Sequence, residues 1–308
     1  MDQSSKAMLR KIIIDFLCLF VVGMGVLMFF LYGKPYKRGF FCNDESLYHP
    51  FHESTVTNTI LYIVGFFLPI SGMLIGEYIH ASFSNEVPKL LCGYNIPVWF
   101  SNSFHKIGIF GFGAVMTVFL TDTAKYTIGR LRPHFMTLCV PNVNCSLIEN
   151  RHRYIEDFTC TATTSPKLLK DVRLSFPSGH SSFAFYTMIY LALYFQLRIT
   201  WKGSKLLKHF LQFICLLLAW FTALSRVSDY KHHWSDVLAG GTLGAIVALV
   251  VANFIANMFK DQRVSLTEEK HRAVDYETGG STQLSLGSYS DLRDENTGRL
   301  EPSAQWLG

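Results

Sequence analysis

The chain has 308 residues, 49 % of them hydrophobic and only 17 % charged, against the quarter usual in soluble domains. That balance, with apolar blocks too long for soluble core helices, excludes an ordinary soluble globule and predicts an all-α polytopic membrane protein in which "domain" means one helical bundle. The net charge of +5 comes without a basic block that would suit nucleic acid, and the seven cysteines show no CxxC pair or zinc-like spacing.

Residues 1–11 are short and polar, with Lys6, Arg10 and Lys11 beside the first apolar run. That run, 12–32, has about the ~20 residues a bilayer core requires. No small-x-small site follows it, so it reads as a retained span. A polar connection holding Cys42 leads to a second span, 56–79, with Pro69 and glycines of the kind membrane helices tolerate. The third span, 104–128, ends in an unusually polar stretch of Thr121, Asp122, Thr123 and Lys125. The next connection, 134–176, is the longest between spans. It carries Cys139, Cys145 and Cys160 and the sequon Asn144-Cys145-Ser146, an acceptor for N-glycosylation. Spans four, five and six follow at 181–199, 206–224 and 236–259. Gly240, Gly241 and Gly244 in the last are small residues that let helices approach. The six-span membrane domain thus covers 12–260. Residues 261–308, rich in Ser, Thr, Gly, Glu and Asp, read as a disordered cytoplasmic tail. Six spans put both termini on one side and the 1–2, 3–4 and 5–6 connections on the other.

Three polar motifs fall on that second side. Between spans five and six, Ser225 to Asp236 packs two cations, two histidines and two acids between apolar runs. Such a cluster is costly unless it does chemistry or binds charge, although a solvated loop is the plain alternative. His232 and Asp236 are four apart; on a helix they share a face, where a carboxylate can fix an imidazole tautomer. His233, three from Asp236, is the second candidate. Arg226 brings a fixed positive charge to the same spot, with Ser225 beside it.

At the end of span three, Lys125 and Arg132 are seven apart. On one helix they would point the same way within ~20°, ~10 Å apart, with Arg130 about 140° round. Pro133 is expected to end that helix at Arg132. Snorkelling anchors are the ordinary alternative for two such cations. Before span four stands Phe176-Pro177-Ser178-Gly179-His180. Ser178 suits an N-cap, Gly179 lets backbone approach a ligand, and the free amides of a helix start bind anions. His180 is placed there to give or take a proton. A plain helix start is the bland alternative. Taken together, three cations and helix-terminal amides suit a phosphoryl group, whose transfer relies on positioning and charge stabilisation. No acidic or cysteine cluster resembles a metal cage, so no metal and no cofactor is expected.

KxxxxxxRP, PSGH and SRxxxxxHxxxD, in this order and on these spans, resemble the phosphatidate phosphatase type 2 superfamily, and within it the animal lipid phosphate phosphatases. The resemblance covers roughly residues 8–260, including the GRLRPHF and SRVSDYKHH contexts. It implies a magnesium-independent hydrolase of phosphatidate, lysophosphatidate, ceramide 1-phosphate and sphingosine 1-phosphate that clusters as homo-oligomers. It implies His232 as the nucleophile that becomes a phosphohistidine, Asp236 as the residue that orients it, and His180 as general acid and then base. Lys125, Arg132, Ser178, Gly179 and Arg226 would bind phosphate; Pro133, Pro177 and Ser225 belong to the motifs with less defined roles. A lipid phosphotransferase, a catalytically silent lipid binder and an anion transporter are rival readings. The intact histidines and Asp236 argue against the last two, since binding alone needs neither an acid nor an oriented nucleophile.

The short 4–5 connection is crowded by Arg198, Lys202, Lys205 and Lys208, as expected of a cytoplasmic loop. The 3–4 connection with Asn144 then lies outside, and the site faces the lumen or cell exterior, most simply at the plasma membrane. Cys42, Cys139, Cys145 and Cys160 would share an oxidising side and form one or two disulfides. Cys18 and Cys215, within spans, read as packing residues.

Overall fold

A computed structural model describes residues 3–83, 88–91, 94–198, 205–256 and 258. The tail expected at 261–308 lies outside the described residues, as do Lys202 and the end of the sixth expected span. In chain order the elements are α1 (Gln3–Tyr32), β1 (Phe40–Phe41), a 3-10 turn (Glu45–Leu47), α2 (Asn58–Phe83), β2 (Lys89–Leu91), β3 (Tyr94–Ile96) and α3 (Val98–Ile128). Then come the short α4 (Phe135–Cys139) and α5 (Ile148–Arg151), β4 (Tyr154–Ile155) and the short α6 (Pro166–Asp171). The last long helices are α7 (Gly179–Arg198), α8 (Lys205–Ser228) and α9 (Trp234–Val250), the last continued by a π-helical stretch, Val251–Ile255.

Among the described residues, five segments are long and apolar enough to cross a membrane: Ile12–Tyr32, Asn58–Ser82, Val98–Ile128, Leu206–Ser228 and Trp234–Ile255. The expected fourth span, α7, has 20 residues, ~30 Å of helix, but is not of this apolar kind. The reason lies in packing. α7 is the hub of the bundle and touches α2, α3, α8 and α9. A helix enclosed by protein can carry Ser181, Ser182, Thr187 and the tyrosines 186, 190 and 194, all buried, because all but the Tyr190 hydroxyl find hydrogen-bond partners among the described residues. Tyr186, for example, donates its hydroxyl to the Phe110 carbonyl at 2.7 Å. The outer helices show the reverse, with Phe16, Phe20, Ile63, Phe67, Phe210 and Phe213 exposed, as suits a hydrocarbon solvent. Gly240 and Gly244 bring α9 against the Ser178 and Ser182 carbonyls, where no Cβ would fit. Cys215 is buried in the core, but Cys18 is exposed and so is not the packing residue expected.

The two ends of the bundle differ. At one, Glu77, 1 % exposed, accepts from Arg198 at 2.8 and 2.9 Å, Lys106 at 2.6 Å and the Tyr194 hydroxyl at 2.9 Å. Buried charge survives when paired in this way. At the other, the 1–2 and 3–4 connections form a cap. β1 pairs antiparallel with β4, Phe40 facing Ile155. Disulfides join Cys42 to Cys145 and Cys139 to Cys160, and Phe40, Leu47, Phe135 and Ile155 bury a small second core.

Candidate active site

The first motif is shaped by an early helix stop. α3 ends at Ile128, because Gly129 adopts a left-handed φ of 60° and returns its N–H to the Lys125 carbonyl. A side chain there would meet the Tyr36 carbonyl. The helix therefore does not reach Arg132, and Lys125 and Arg132 do not share a helical face. They converge by another route. The strand-like segment after Gly129 pairs with the segment before α7, Ser175 N–H to Arg130 O at 3.0 Å and Arg132 N–H to Val172 O at 2.9 Å. Arg132 is 9 % exposed; its Nη2 binds Asp171 at 2.8 Å, while its buried Nε–H has no partner among the described residues. A buried guanidinium donor left open is a place for an anion. Pro133 is buried, and its carbonyl accepts from His49 of the 1–2 connection at 3.1 Å.

The second motif starts α7. Ser178 is buried and stands at the N-cap, its hydroxyl oxygen accepting from the Ser181 N–H at 3.4 Å and the Ser181 hydroxyl at 3.1 Å. Its own N–H donates to the Asp236 carbonyl at 2.9 Å, which ties this motif to the third. Pro177 is buried and follows a cis peptide bond. Gly179 lies under Lys125: a Cβ would come within 2.9 Å of its Nζ. The ammonium thus hangs over the helix start. His180 is half-buried, and its Nε2 lies 3.2 Å from the Val56 carbonyl. A carbonyl only accepts, so Nε2 carries the proton in that bond.

The third motif is not a solvated loop. Ser225 and Arg226 are buried in the last turns of α8, and a tight turn with Tyr230 at φ 52° follows. The turn closes through the Arg226 carbonyl, which accepts from the N–H groups of Lys231 and His232. Arg226 reaches the Ser225 hydroxyl oxygen at 3.0 and 3.2 Å and Asp229 at 2.8 Å. Asp229 also takes the N–H and hydroxyl of Thr55 at 2.8 and 2.7 Å, pinning the 1–2 connection against the site.

His232, 3 % exposed, has its Nδ1 at 2.6 Å from the Ser175 carbonyl. Nδ1 must therefore donate, which leaves the Nε2 lone pair free. Burial, with the charges of Arg132, Lys125 and His180, holds its pKa well below the usual imidazole range despite that hydrogen bond. The ring is neutral at physiological pH.

Asp236 behaves differently from the expectation. α9 begins at Trp234, after His232, so the two are not on one helix; Oδ2 stands 4.0 Å from His232 Nδ1, beyond hydrogen-bond length. The fully buried carboxylate instead takes Arg130 Nη1 at 2.5 Å, the Ser175 hydroxyl at 2.6 Å, the His233 N–H at 3.0 Å and the His233 ring at 3.2 Å. It joins all three motifs. His233, the alternative on spacing, is the histidine that Asp236 hydrogen-bonds. Ser175, Asp229 and Thr55 were not singled out from the sequence, and Arg130 was set aside there in favour of Arg132. Asn144 is exposed in the 3–4 connection.

Comparison with known proteins fits this geometry. The model of the PAP2 superfamily matches residues 106–260, which hold all three motifs. A putative phosphatidate phosphatase of Drosophila melanogaster is 50 % identical over 84 % of this chain and 72 % of its own length. Phospholipid phosphatase 1 of Rattus norvegicus is 37 % identical over 83 % of this chain and 88 % of its own, and phospholipid phosphatase 2 of Homo sapiens 37 % over 81 % and 84 %. No solved structure matches the chain. With three linked motifs inside the matched segment and relatives aligned along most of their length, the chain belongs to the PAP2 superfamily.

Proposed function

We propose that the chain is a lipid phosphate phosphatase that hydrolyses phosphomonoester lipids through a phosphohistidine. The observation that carries this is His232: buried, neutral, its Nδ1 proton fixed on the Ser175 carbonyl, beside the charges of Arg132 and Lys125. A neutral imidazole with a free lone pair beside a phosphate-sized cluster of cations is set for nucleophilic attack.

In the proposed first step, His232 Nε2 bonds to phosphorus and the bond to the lipid oxygen breaks. Since the Val56 carbonyl holds one proton on His180 Nε2, the ring enters this step as the imidazolium, a form that the negative charge of bound substrate favours, and gives its second proton, on Nδ1, to that oxygen. In the second step His180 takes a proton from water, whose oxygen bonds to phosphorus as the bond to His232 breaks, releasing inorganic phosphate. Lys125, the open Arg132 Nε–H, Arg226, the Ser178 hydroxyl and the amide of Gly179 neutralise the equatorial oxygens, the Ser178 N–H being held by the Asp236 carbonyl. The protein supplies this charge itself, so the reaction needs no magnesium. Ser225 holds the Arg226 guanidinium through its hydroxyl, and the Pro133 carbonyl ties the segment after α3 to His49. Asp236 acts on His232 indirectly, by fixing Ser175, rather than by a direct hydrogen bond.

α7 would also cross the membrane, as the fourth of six spans, with both termini cytoplasmic. The two disulfides in the cap suit an oxidising compartment, and exposed Asn144 would be glycosylated there. The site would face the cell exterior or lumen, at the plasma membrane or an endomembrane, in a homo-oligomer as the family resemblance suggests. Substrates would be phosphatidate, lysophosphatidate, ceramide 1-phosphate and sphingosine 1-phosphate. Purified protein given phosphatidate in EDTA should release inorganic phosphate, and vanadate should inhibit it. Activity abolished by EDTA and restored by Mg²⁺ would overturn the mechanism.

A further inference from the structure

Beside His180 lies a cavity of about 100 Å³ between α2, α3 and α7, lined by Asn58, Tyr62, Asp122, Lys125, Gly179 and His180, with apolar residues behind them. It is smaller than the ~150 Å³ cavity that holds a benzene ring. It can take a short polar fragment, not an acyl chain. Lys125 and His180 join this lining to the catalytic machinery. Asp122, Asn58 and Tyr62 line the same cavity but have no part in the phosphate chemistry.

Asp122 is out of place if phosphate binding is the only task. It sets a negative charge 3.9 Å from Lys125, where it opposes the binding of an anion. The pair is too long for a hydrogen bond, and an i,i+3 ion pair is worth only a few tenths of a kcal/mol. Among the described residues, the Asp122 carboxylate accepts no hydrogen bond, and its side chain is only 24 % exposed. A shielded carboxylate with open lone pairs, next to the group that protonates the leaving oxygen, is a receptor for a donor on the leaving alcohol.

We propose that this cavity is the leaving-alcohol subsite and that Asp122 selects lipids whose alcohol carries a hydroxyl or ammonium on the carbon next to the phosphoester carbon. Lysophosphatidate has a hydroxyl there and sphingosine 1-phosphate an ammonium. Phosphatidate has an acylated oxygen, which cannot donate. Asn58 and Tyr62, which line the same cavity, add neutral partners. The inference rests on the phosphatase reading above and deepens it.

The test is a ratio. Wild type, Asp122→Ala and Asp122→Asn, purified in detergent, are given lysophosphatidate, sphingosine 1-phosphate and phosphatidate at equal surface concentrations in mixed micelles. For Asp122→Ala, kcat/KM for lysophosphatidate and sphingosine 1-phosphate relative to phosphatidate should fall about tenfold, the scale of a lost hydrogen bond to a charged group. Asp122→Asn keeps an acceptor, so the ratio for lysophosphatidate should fall less than that for sphingosine 1-phosphate. Partial misfolding, or a changed Lys125, scales all three substrates together and cancels. A loss shared equally by all three, partial or complete, overturns the subsite, as does no change. A wild type that hydrolyses none of the lipids would instead remove the phosphatase reading, and this one with it.

Discussion

His232 donates its Nδ1 proton to the carbonyl of Ser175 at 2.6 Å, and the hydroxyl of the same Ser175 donates to Asp236 at 2.6 Å. One residue thus holds the ring and is itself held by the carboxylate. Backbone, not Asp236, sets the tautomer, and Asp236 sets the backbone. In this arrangement Ser175→Ala keeps the carbonyl but frees the segment that carries it. Its kcat on phosphatidate should fall about tenfold, with KM little changed. Unchanged kcat would show that the carbonyl needs no such support.

Arg130 is the only arginine on the Asp236 carboxylate among the described residues. Arg130→Ala leaves that fully buried acid with Ser175 and His233 but no fixed cation. It should cost about 1–3 kcal/mol of stability, below the full penalty for orphaning a buried charge because Arg130 is itself 32 % exposed. Arg130→Lys should recover part. Thermal unfolding in detergent reads both, and an Arg130→Ala protein as stable as wild type would contradict the clamp.

This part of the site was not legible in the sequence, for a local reason. Continuing α3 to Pro133 turns Arg130 away from Lys125, whereas Gly129 ends the helix four residues earlier and sends Arg130 to Asp236. The same error of scale affects His232 and Asp236: their spacing of four matters only on a helix, and the helix starts between them. Lys125, Arg132, Ser178, His180, Arg226 and His232 were legible because each motif packs its chemistry into a few residues. Thr55 carries no such mark, since its contact with Asp229 crosses 174 positions. α7 was read as one span among six, although its buried serines and tyrosines are what a central helix carries.

Stability should fall in acid. Burial, then the charge of Arg132, pushes His134 down to about 4, and burial holds His232 well below 6.5. With folded pKa values depressed, the unfolded chain binds protons that the folded chain refuses. The stability is therefore fully present above about 6.5 and is lost as pH falls towards about 4, by up to about 3 kcal/mol for His134. His134→Gln should flatten that slope. A melting temperature constant from pH 7 to 5 would contradict the buried neutral imidazoles.

The cap should be redox-sensitive. The Cys42–Cys145 bond closes a loop across 103 positions, worth about 4–5 kcal/mol in the chain-entropy model. Cys42→Ser with Cys145→Ser should lower the melting temperature and loosen β1 from β4. No change in stability would show that the bond is absent or idle.

Glycosylation reads the side of the membrane. Wild type from animal cells should migrate faster after glycosidase treatment, and Asn144→Gln should match the treated protein. Surface-localised protein whose 3–4 connection is labelled only after the plasma membrane is permeabilised would reverse the proposed topology.

The central claim is that His232 carries the phosphoryl group. Purified wild type and His232→Ala are compared for inorganic phosphate released from phosphatidate in EDTA, with melting temperatures measured alongside. The variant should remain folded and turn over at less than about a thousandth of the wild-type rate. A folded His232→Ala protein that hydrolyses phosphatidate at the wild-type rate would contradict the account and make His233, already bound to Asp236, the nucleophile to test.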